Sequence, residues 1–445
     1  MGLSRPWSAG ALVAVLAVSL GIVALQIRDQ PAFSPIDEVE HFDYAVKAPS
    51  AGLRAGELYG TEALAALGCR GRDWPGWEVG APTIPKCGDA QPDPRLSPNM
   101  GYNAAYLHPP VYYSLTALIG DGMLRLPGVG STLSAYRLVG VLWLGAGLVL
   151  IWLALGMVHL SVWRRVGVVL LLGVSPAVVH GSATVNPDAT ALFGGGLVAL
   201  ALLKWEAGRW PWWSLAVAST VAVWLKFTNS IAVGALIVYL AVRLWQTRNQ
   251  PSSEMSRAKS RQRYAAGSVT VAAVVASVLV WRVVQRLRQL APEEELPIHI
   301  HLRRDSFPWT SVDDKLRAVL TPLRHQWIPS GLPRDALVLL SDIADVGLLV
   351  LLGAAVAVTA SRSPYRALVV AVFTSMVGIG ALALVSFYLT LSYDPPVPGR
   401  YGLAVLPLAA VAVAPVLRRH ILAPALVGAL ACATASAMFY GVLTT

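Results

Sequence analysis

The chain has 445 residues, of which 55% are hydrophobic and only 13% are charged, and its mean hydropathy is +0.57. Charged residues make up about 25% of a typical soluble domain, so this composition excludes a soluble globular protein and indicates a polytopic membrane protein. The net charge is +10, which in a soluble chain would suggest a nucleic-acid partner. In a membrane protein, Lys and Arg are better explained as the residues that keep loops in the cytoplasm.

Eleven apolar runs are long enough to cross about 30 Å of hydrocarbon. They cover residues 9–26, 134–159, 166–183, 187–204, 211–226, 229–246, 266–285, 336–359, 367–390, 401–417 and 421–442. No small-x-small cleavage site follows the first run, so it is predicted to be a retained span rather than a signal peptide. The predicted fold is therefore an all-α polytopic membrane protein of about 11 transmembrane helices, with residues 1–445 as a single transmembrane domain.

The charged residues predict the orientation. With the N-terminus in the cytoplasm, the basic loops fall inside, including those with Arg164, Arg165, Arg418 and Arg419, as the positive-inside rule requires. Reading residues 109–127 as a full span would invert every later loop. This segment is therefore predicted to lie on the outer surface as an amphipathic helix with tyrosines at headgroup level.

Three loops are large enough to matter for function. Residues 27–133 are predicted to form a first extracytoplasmic loop with interfacial helices, and residues 286–335 a second extracytoplasmic loop. Residues 247–264 are predicted to form a basic, flexible cytoplasmic loop. Cys69 and Cys87 share the first loop. If that loop is extracytoplasmic, and so in an oxidising compartment, a disulfide between them is predicted, and the alternative is two free thiols.

A cluster of charged residues directly follows the first span. Asp37, Glu38, Glu40, His41 and Asp43 fall within seven residues, and charges at the mouth of a membrane helix are costly unless something offsets them. On a helix Asp37, Glu38 and His41 would share a face, so a carboxylate held near His41 could act as a general base. The alternative is a solvated helix cap outside the bilayer.

Basic residues at the outer ends of other spans are candidates for binding an anion. Lys226 either snorkels to the interface or binds a phosphate. Arg400, followed by Tyr401, offers a guanidinium that binds phosphate in a bidentate fork, and the alternative is a Pro-rich hairpin whose arginine snorkels. His108 precedes a double proline and is predicted to lie close to the membrane surface.

Two further motifs have simpler readings. Asn186 and Asp188 belong to an Asn-Pro-Asp motif between two apolar runs, which is typical of a tight outer turn. His299 and His301 would share a face if they lay on a strand. No carboxylate or cysteine completes a ligand pattern, so these histidines are predicted to be solvated and no metal site is predicted there.

The order and the shared side of these motifs resemble the GT-C class of membrane glycosyltransferases. More narrowly, the chain is similar over roughly residues 10–420 to a bacterial polytopic family marked by Pro-Asp-Glu-x-x-His-Phe, an Asn-Pro-Asp turn and Gly-Arg-Tyr. It departs from the first motif by one extra residue, Ile36, between the proline and the aspartate. The resemblance implies inverting transfer of a sugar from a polyprenyl-phosphate donor to a cell-envelope glycan or glycolipid. The reaction would take place outside the bacterial cytoplasmic membrane, with mannose or arabinofuranose as candidate sugars.

The resemblance also implies roles for single residues. Asp37 would be the general base and Glu38 its neighbour or a metal ligand, so Mg²⁺ or Mn²⁺ is an option there, and the choice of base between the two stays open. Arg400 and Tyr401 would hold the donor phosphate, with help from His108 and Lys226. We expect substrate contacts from the remaining motif residues: Glu40, His41, Tyr112, Tyr113, Asn186 and Asp188.

Other functions are compatible with a polytopic membrane protein. A transporter or flippase of a lipid-linked or acidic solute predicts charged residues deep inside spans, whereas here they collect at the outer mouths. A structural assembly subunit gives no reason for Asp37, His108 and Arg400 to share a side. Transfer of a preformed glycan, as by an O-antigen ligase, is chemically close to the preferred reading.

Overall fold

The computed structural model describes residues 6–50, 52–73, 85–89, 92–248, 254–325, 327–329 and 331–444. Within these ranges the chain forms α-helices and short 3-10 turns, and it forms no β-strand. In chain order the helices are α1 (Pro6–Asp29), α2 (Glu38–Lys47), α3 (Thr61–Arg70), α4 (Val111–Met123), α5 (Thr132–Met157), α6 (Val162–Val174), α7 (Pro176–Ala183), α8 (Ala191–Glu206), α9 (Ser214–Leu225), α10 (Ser230–Arg248), α11 (Glu254–Arg288), α12 (Pro297–Leu302), α13 (Ser311–Ala318), α14 (Arg334–Val358), α15 (Pro364–Leu391), α16 (Leu406–Ala412), α17 (Ala414–Arg419) and α18 (Leu422–Thr444).

The helices establish a multi-pass membrane protein with fewer full spans than the eleven predicted. Eight helices in the described part of the chain are long and apolar enough to cross a bilayer: α1, α5, α8 with the turn before it, α10, α11, α14, α15 and α18. Helices α6 and α7 make a ninth span if they count as one, bent by 58°. The other two predicted runs become the shorter helix α9 and the broken segment Gly399–Ala412.

The breaks in these shorter segments have local causes. Ser175 is extended (φ −66°, ψ 140°), because a residue that precedes proline avoids the helical region, and Pro176 then begins α7. Lys226 is also extended (φ −160°, ψ 131°) and ends α9. Both breaks lie close to Asp188, which contacts Lys226 and packs against Gly181 on α7.

The described residues between 30 and 133 form a cap over one end of the bundle. Helices α2, α3 and α4 share a core of their own with the start of α5, and its largest buried members are aromatic: Phe33, Phe42, Tyr44, Tyr106, Tyr112 and Tyr113. The expected disulfide joins Cys69 to Cys87, with Cα atoms 4.3 Å apart. Helix α4 has 13 residues, or about 20 Å of helix, which is too short to span a bilayer, as predicted for residues 109–127.

The opposite end of the bundle collects the basic loops. Arg164 Nη1 donates to the backbone oxygen of Arg418 at 3.0 Å, and Arg243 Nη1 donates to that of Arg362 at 2.9 Å. The acidic stretch after α1 and the Asn-Pro-Asp turn before α8 lie at the cap end, because the chain direction alternates from span to span. The two ends of the molecule therefore differ in charge as the sequence predicted.

The prediction of a flexible loop over 247–264 is wrong for most of its length. Helix α10 continues to Arg248 and α11 already begins at Glu254, because Lys, Arg, Gln, Ala and Ser sustain a helix once it is nucleated. The stretch from Gln250 to Ser253 lies outside the described residues. The second loop, 286–335, is also partly helical and contains α12 and α13.

Candidate functional site

Asp37 follows α1 in an unusual backbone conformation. Its φ of 58° and ψ of 4° are left-handed, a region that Asp enters more readily than most residues and that is often found at functional sites. It occupies the N-cap position of α2, but its side chain caps no backbone N–H. Instead, its Oδ2 accepts a hydrogen bond from Arg400 Nη2 at 3.0 Å. The Asp37 side chain is still 54% exposed, so the carboxylate is both held and accessible.

Arg400 connects Asp37 to a buried chain of ion pairs. Its Nε donates to Asp188 Oδ2 at 3.0 Å, and Lys226 Nζ donates to the other oxygen of Asp188. The ring of Tyr401 lies 5.1 Å from Lys226 Nζ and 5.7 Å from Arg400 Cζ, within reach of a cation–π interaction with both. Lys226 is therefore not a snorkelling anchor, and the Asn-Pro-Asp turn supplies the carboxylate that holds the two cations in place.

A close helix contact brings Arg400 over Asp188. The 3-10 turn Gly399–Val405 packs against α8 at Gly195, where a Cβ would lie 1.9 Å from the backbone oxygen of Ala404. The turn before α8 is shaped by Asn186, whose Oδ1 accepts a hydrogen bond from the Asp188 amide at 2.9 Å. Asn186 thus positions Asp188.

Arg400 also has a donor that no described residue satisfies. Its Nη1 is buried and has no hydrogen-bond partner in the described part of the chain. Arg400 borders a cavity of about 120 Å³ together with Thr321, Arg324 and His325. Because buried donors without partners are rare and a guanidinium favours carboxylate or phosphate oxygens, this region is suited to an anionic group.

The carboxylate of Glu38, unlike that of its neighbour Asp37, is buried and fully hydrogen-bonded. Its carboxylate accepts four hydrogen bonds, from Arg137 Nε and Nη2, both at 2.7 Å, from the Ser34 amide at 2.7 Å and from the Val185 amide at 2.9 Å. The Glu38 and Arg137 side chains are 0% and 2% exposed. All the acceptor positions of the carboxylate are used, so the geometry favours a structural role for Glu38, as a clasp between the cap and α5.

The residues at Asp37 and Glu38 do not fit a divalent cation. Glu38 has no acceptor position left for a metal, and Asp37 already faces the guanidinium of Arg400. Among the described residues there is no group of three or more His, Cys, Asp or Glu side chains that could hold a metal ion.

His41 and His108 form a neutral wall beside the ion pairs. His41 Nδ1 shares a hydrogen bond with the Tyr113 hydroxyl at 2.8 Å, and the two imidazole rings are 5.5 Å apart. Burial, followed by the charges of Lys226 and Arg400, lowers the pKa of His108 to about 3, and burial lowers the pKa of His41 well below its usual value. His108 therefore contributes no positive charge near neutral pH.

Tyr112 and Tyr113 lie fully buried on α4 in the same wall. Glu40 points towards the cap, where it accepts a hydrogen bond from the Tyr59 hydroxyl at 3.0 Å. Burial, and then the nearby charge of Asp37, raises the pKa of Glu40 to about 7. Glu40, which was predicted to contact the substrate, is thus hydrogen-bonded to Tyr59 in the cap, near Asp37.

Two histidines that the sequence did not mark out as site residues complete the surroundings of Arg400. The rings of His180 and His325 stack with centroids 3.9 Å apart, and Ser34 Oγ lies 2.9 Å from His180 Nε2. His180 Nδ1 and His325 Nε2 are buried without partners among the described residues. The sequence signal for His180 was a polar side chain within an apolar run, which often marks a functional residue in a membrane protein. His325 lies in a polar loop, and no sequence pattern pointed to it.

The pair His299 and His301 lies away from these groups. It sits on helix α12 rather than on a strand, so two residues at this spacing do not share a face. His299 is buried against the Tyr106 hydroxyl at 2.8 Å, and His301 is exposed. The prediction that both are solvated is therefore wrong for His299.

The site combines an accessible carboxylate, a buried guanidinium with an unsatisfied donor, a lysine and neutral imidazoles at one end of a membrane bundle. Comparison with protein-family models, with curated proteins and with solved structures gives no match for this chain.

Proposed function

We propose that the chain is an inverting glycosyltransferase of the GT-C type. It would move a sugar from a polyprenyl-phosphate donor to a cell-envelope glycan or glycolipid at the outer face of the bacterial cytoplasmic membrane. The observation that carries this proposal is the pair of Asp37 and Arg400, a half-exposed carboxylate 3.0 Å from a buried guanidinium with an unsatisfied donor. Such a transfer needs a base for the acceptor hydroxyl and a cation for the leaving phosphate.

The proposed step uses Asp37 as the base. Asp37 takes the proton of the acceptor hydroxyl while that oxygen attacks the anomeric carbon from the face opposite the phosphate. The bond between the anomeric carbon and the phosphate oxygen breaks, and polyprenyl phosphate leaves with the electron pair. The sugar is joined to the acceptor with inverted configuration, and Asp37 later releases the proton to water.

The buried cations stabilise the charge on the leaving group. In the structure Arg400 donates to Asp188 and to Asp37 through Nε and Nη2, which leaves Nη1 for a phosphate oxygen. A phosphate that binds Arg400 would also weaken its hold on Asp37 and so free the carboxylate to act as a base. Asp188 keeps Arg400 and Lys226 in place before the substrate arrives, which is how preorganised charge lowers a barrier.

The position of the site suits a lipid-linked donor. Asp188 and Lys226 lie where the chain enters α8 and leaves α9, beneath the cap. With the N-terminus in the cytoplasm, this end of the bundle faces outward and the basic loops face inward. A polyprenyl chain could then remain in the bilayer while its phosphate reaches Arg400 near headgroup depth.

Replacement of the base tests the proposal directly. With a panel of polyprenyl-phosphate sugars, Asp37→Asn should release polyprenyl phosphate about 10²–10⁴-fold more slowly than the wild type, yet still bind the donor. Arg400→Gln should chiefly weaken donor binding, and Asp29→Asn, at the end of α1, serves as the matched control. Normal turnover in Asp37→Asn would refute the assignment of the base.

A transporter or flippase of a lipid-linked or acidic solute is the second candidate. The buried chain of Asp188, Lys226 and Arg400 favours it, because ionisable residues inside a membrane protein often mark a pathway. The two functions differ in a simple assay with reconstituted vesicles. Counterflow of a labelled solute, without release of polyprenyl phosphate from any donor, would select the transporter.

A further inference from the structure

A groove opens between α10 and α11, away from the candidate site. It has a volume of about 510 Å³ and mainly apolar walls, with Ile237, Leu240 and Leu244 on one side and Gly267 and Val271 on the other. Helix α10 begins just after Lys226, and Ile237 lies about 10 Å further along its axis. The groove therefore occupies the half of the helix pair that leads to the basic loops.

A buried arginine lines the polar end of this groove. Arg263 is 6% exposed, and its Nε has no hydrogen-bond partner among the described residues. Its Nη2 lies 3.6 Å from Glu206 Oε1, a carboxylate that already accepts a hydrogen bond from the Tyr239 hydroxyl at 3.0 Å. The guanidinium is thus only partly compensated by the protein.

The surroundings add positive charge rather than neutralise it. Arg243, on α10, donates through Nη1 to Gln246 Oε1 at 2.7 Å, and its Nε is likewise without a partner in the described part of the chain. Lys259 and Arg261, on the same helix, are exposed and do not line the groove. Among the described residues, Glu206 is the one carboxylate within ion-pair distance of Arg263, and the buried Nε atoms of Arg243 and Arg263 stay without partners.

We propose that this groove binds one anionic phospholipid. An acyl chain would lie against the apolar walls of α10 and α11, and the lipid phosphate would accept hydrogen bonds from Arg263. Charge complementarity selects the headgroup, since the amine of a zwitterionic lipid would face a cationic mouth. A free phosphate would lack the apolar contacts. The site lies on the side of the basic loops, where anionic headgroups are attracted to Lys and Arg.

The charge is tested by native mass spectrometry of the full chain in detergent. Phosphatidylglycerol and phosphatidylcholine with identical acyl chains should both bind, with phosphatidylglycerol preferred. Arg263→Gln should reduce that preference about tenfold, because a hydrogen bond to a charged group is lost. Arg261→Gln, which removes an exposed charge two residues away, should leave it unchanged. Equal effects of the two variants would mean general surface attraction and overturn the proposal.

The shape is tested separately by filling the groove. A Cβ at Gly267 would meet only Leu240 Cδ1, at 3.8 Å, so Gly267→Leu adds bulk without a backbone clash and should abolish the specific binding of both lipids. Unchanged lipid binding in this variant would refute the groove as the site, even if Arg263→Gln failed to fold. Displacement of phosphatidylglycerol by polyprenyl phosphate would also overturn the assignment, because the groove would then hold the donor's chain.

Discussion

Asp37 and Glu38 are adjacent in sequence, but their carboxylates lie in different environments. The left-handed backbone of Asp37 turns its side chain towards Arg400, while Glu38 enters α2 and points at Arg137 on α5. Asp37 stays half exposed, and Glu38 is fully buried with four hydrogen bonds. The environment therefore separates an accessible carboxylate, which the proposed reaction uses as its base, from a buried one that holds the cap in place.

This difference predicts opposite phenotypes for neighbouring substitutions. Glu38→Gln leaves the Arg137 guanidinium buried without its counter-charge, and breaking a buried pair costs about 3–5 kcal/mol. We expect a large loss of stability in thermal unfolding of the detergent-solubilised protein. Asp37→Asn is the matched control and should unfold close to the wild-type temperature. Similar losses in the two variants would contradict the division of roles.

The pKa of Glu40 predicts a pH dependence of stability. Burial raises this pKa to about 7, whereas it lies near 4.5 in the unfolded chain, so the folded protein binds more protons between these values. Stability is therefore lost through this group as the pH rises from about 4.5 to about 7. Glu40→Gln should show a smaller fall in melting temperature over that range.

The exposed Glu62 on α3 provides a control for this experiment. Glu62→Gln should keep the wild-type pH profile. His108 and His325 have lowered pKa values, about 3 and about 4. Because the unfolded chain binds their protons more readily, these two histidines lower the stability of the fold below about pH 6.5. Only the difference between Glu40→Gln and the wild type isolates Glu40, and identical profiles would show that its pKa is not raised.

At the scale of elements, the interruptions of the helices build the site. Helix α9 stops at Lys226, the turn before α8 presents Asp188, and the 3-10 turn Gly399–Val405 presents Arg400. A continuous helix would use the same backbone positions for its own hydrogen bonds. The irregular ends let three side chains from distant parts of the chain meet in a space closed by the cap.

The contact at Gly195 predicts how sensitive this arrangement is. In Gly195→Ala the new methyl group would collide with the Ala404 backbone oxygen, and overpacking of this kind costs typically about 1–3 kcal/mol. We expect lower stability and slower turnover, because the turn with Arg400 must move away from Asp188. Gly21→Ala on α1, where nothing lies within 4 Å of the added atom, should change neither. Normal turnover in Gly195→Ala would show that the turn can shift without cost.

At the scale of the whole molecule, the two ends of the bundle carry different kinds of residues. One end carries the cap and the candidate site, and the other joins the basic loops through contacts such as that of Arg164 with Arg418. The second loop belongs to the cap end. Its Arg304 amide donates to the backbone oxygen of Ser392 at 2.7 Å, and Ser392 lies eight residues before Arg400 of the candidate site. This polarity predicts which loops are reached from outside the cell.

Cysteine labelling tests the orientation. In a background with the exposed Cys432 replaced by Ser, Asp305→Cys should react with a membrane-impermeant maleimide in intact cells. Arg209→Cys, between α8 and α9, should react only after the membrane is made permeable. Cys69 and Cys87 are paired in the disulfide and should not react. The reverse pattern would place the candidate site in the cytoplasm and exclude the proposed reaction at the outer face.

The sequence by itself determined the membrane class, the positions of the apolar segments and the segregation of basic loops. These properties depend on local composition: a run of Leu, Val and Ala is apolar wherever it lies, and Arg164 or Arg418 marks its own loop. It also singled out Asp37, Lys226 and Arg400 as unusual, because charged residues at the ends of spans are costly. The disulfide was foreseeable because its two cysteines share one loop and lie 18 positions apart.

Only the tertiary structure decided which charges pair with which. Asp188 and Arg400 are 212 positions apart, and Glu38 and Arg137 are 99 apart, so no local pattern links them. The stacking of His180 on His325 likewise joins residues that are far apart in sequence. Helix α9 is shorter than its apolar run because it ends before Lys226, whose side chain pairs with Asp188. Pairing over such distances depends on how the helices pack, and packing is a property of the whole fold.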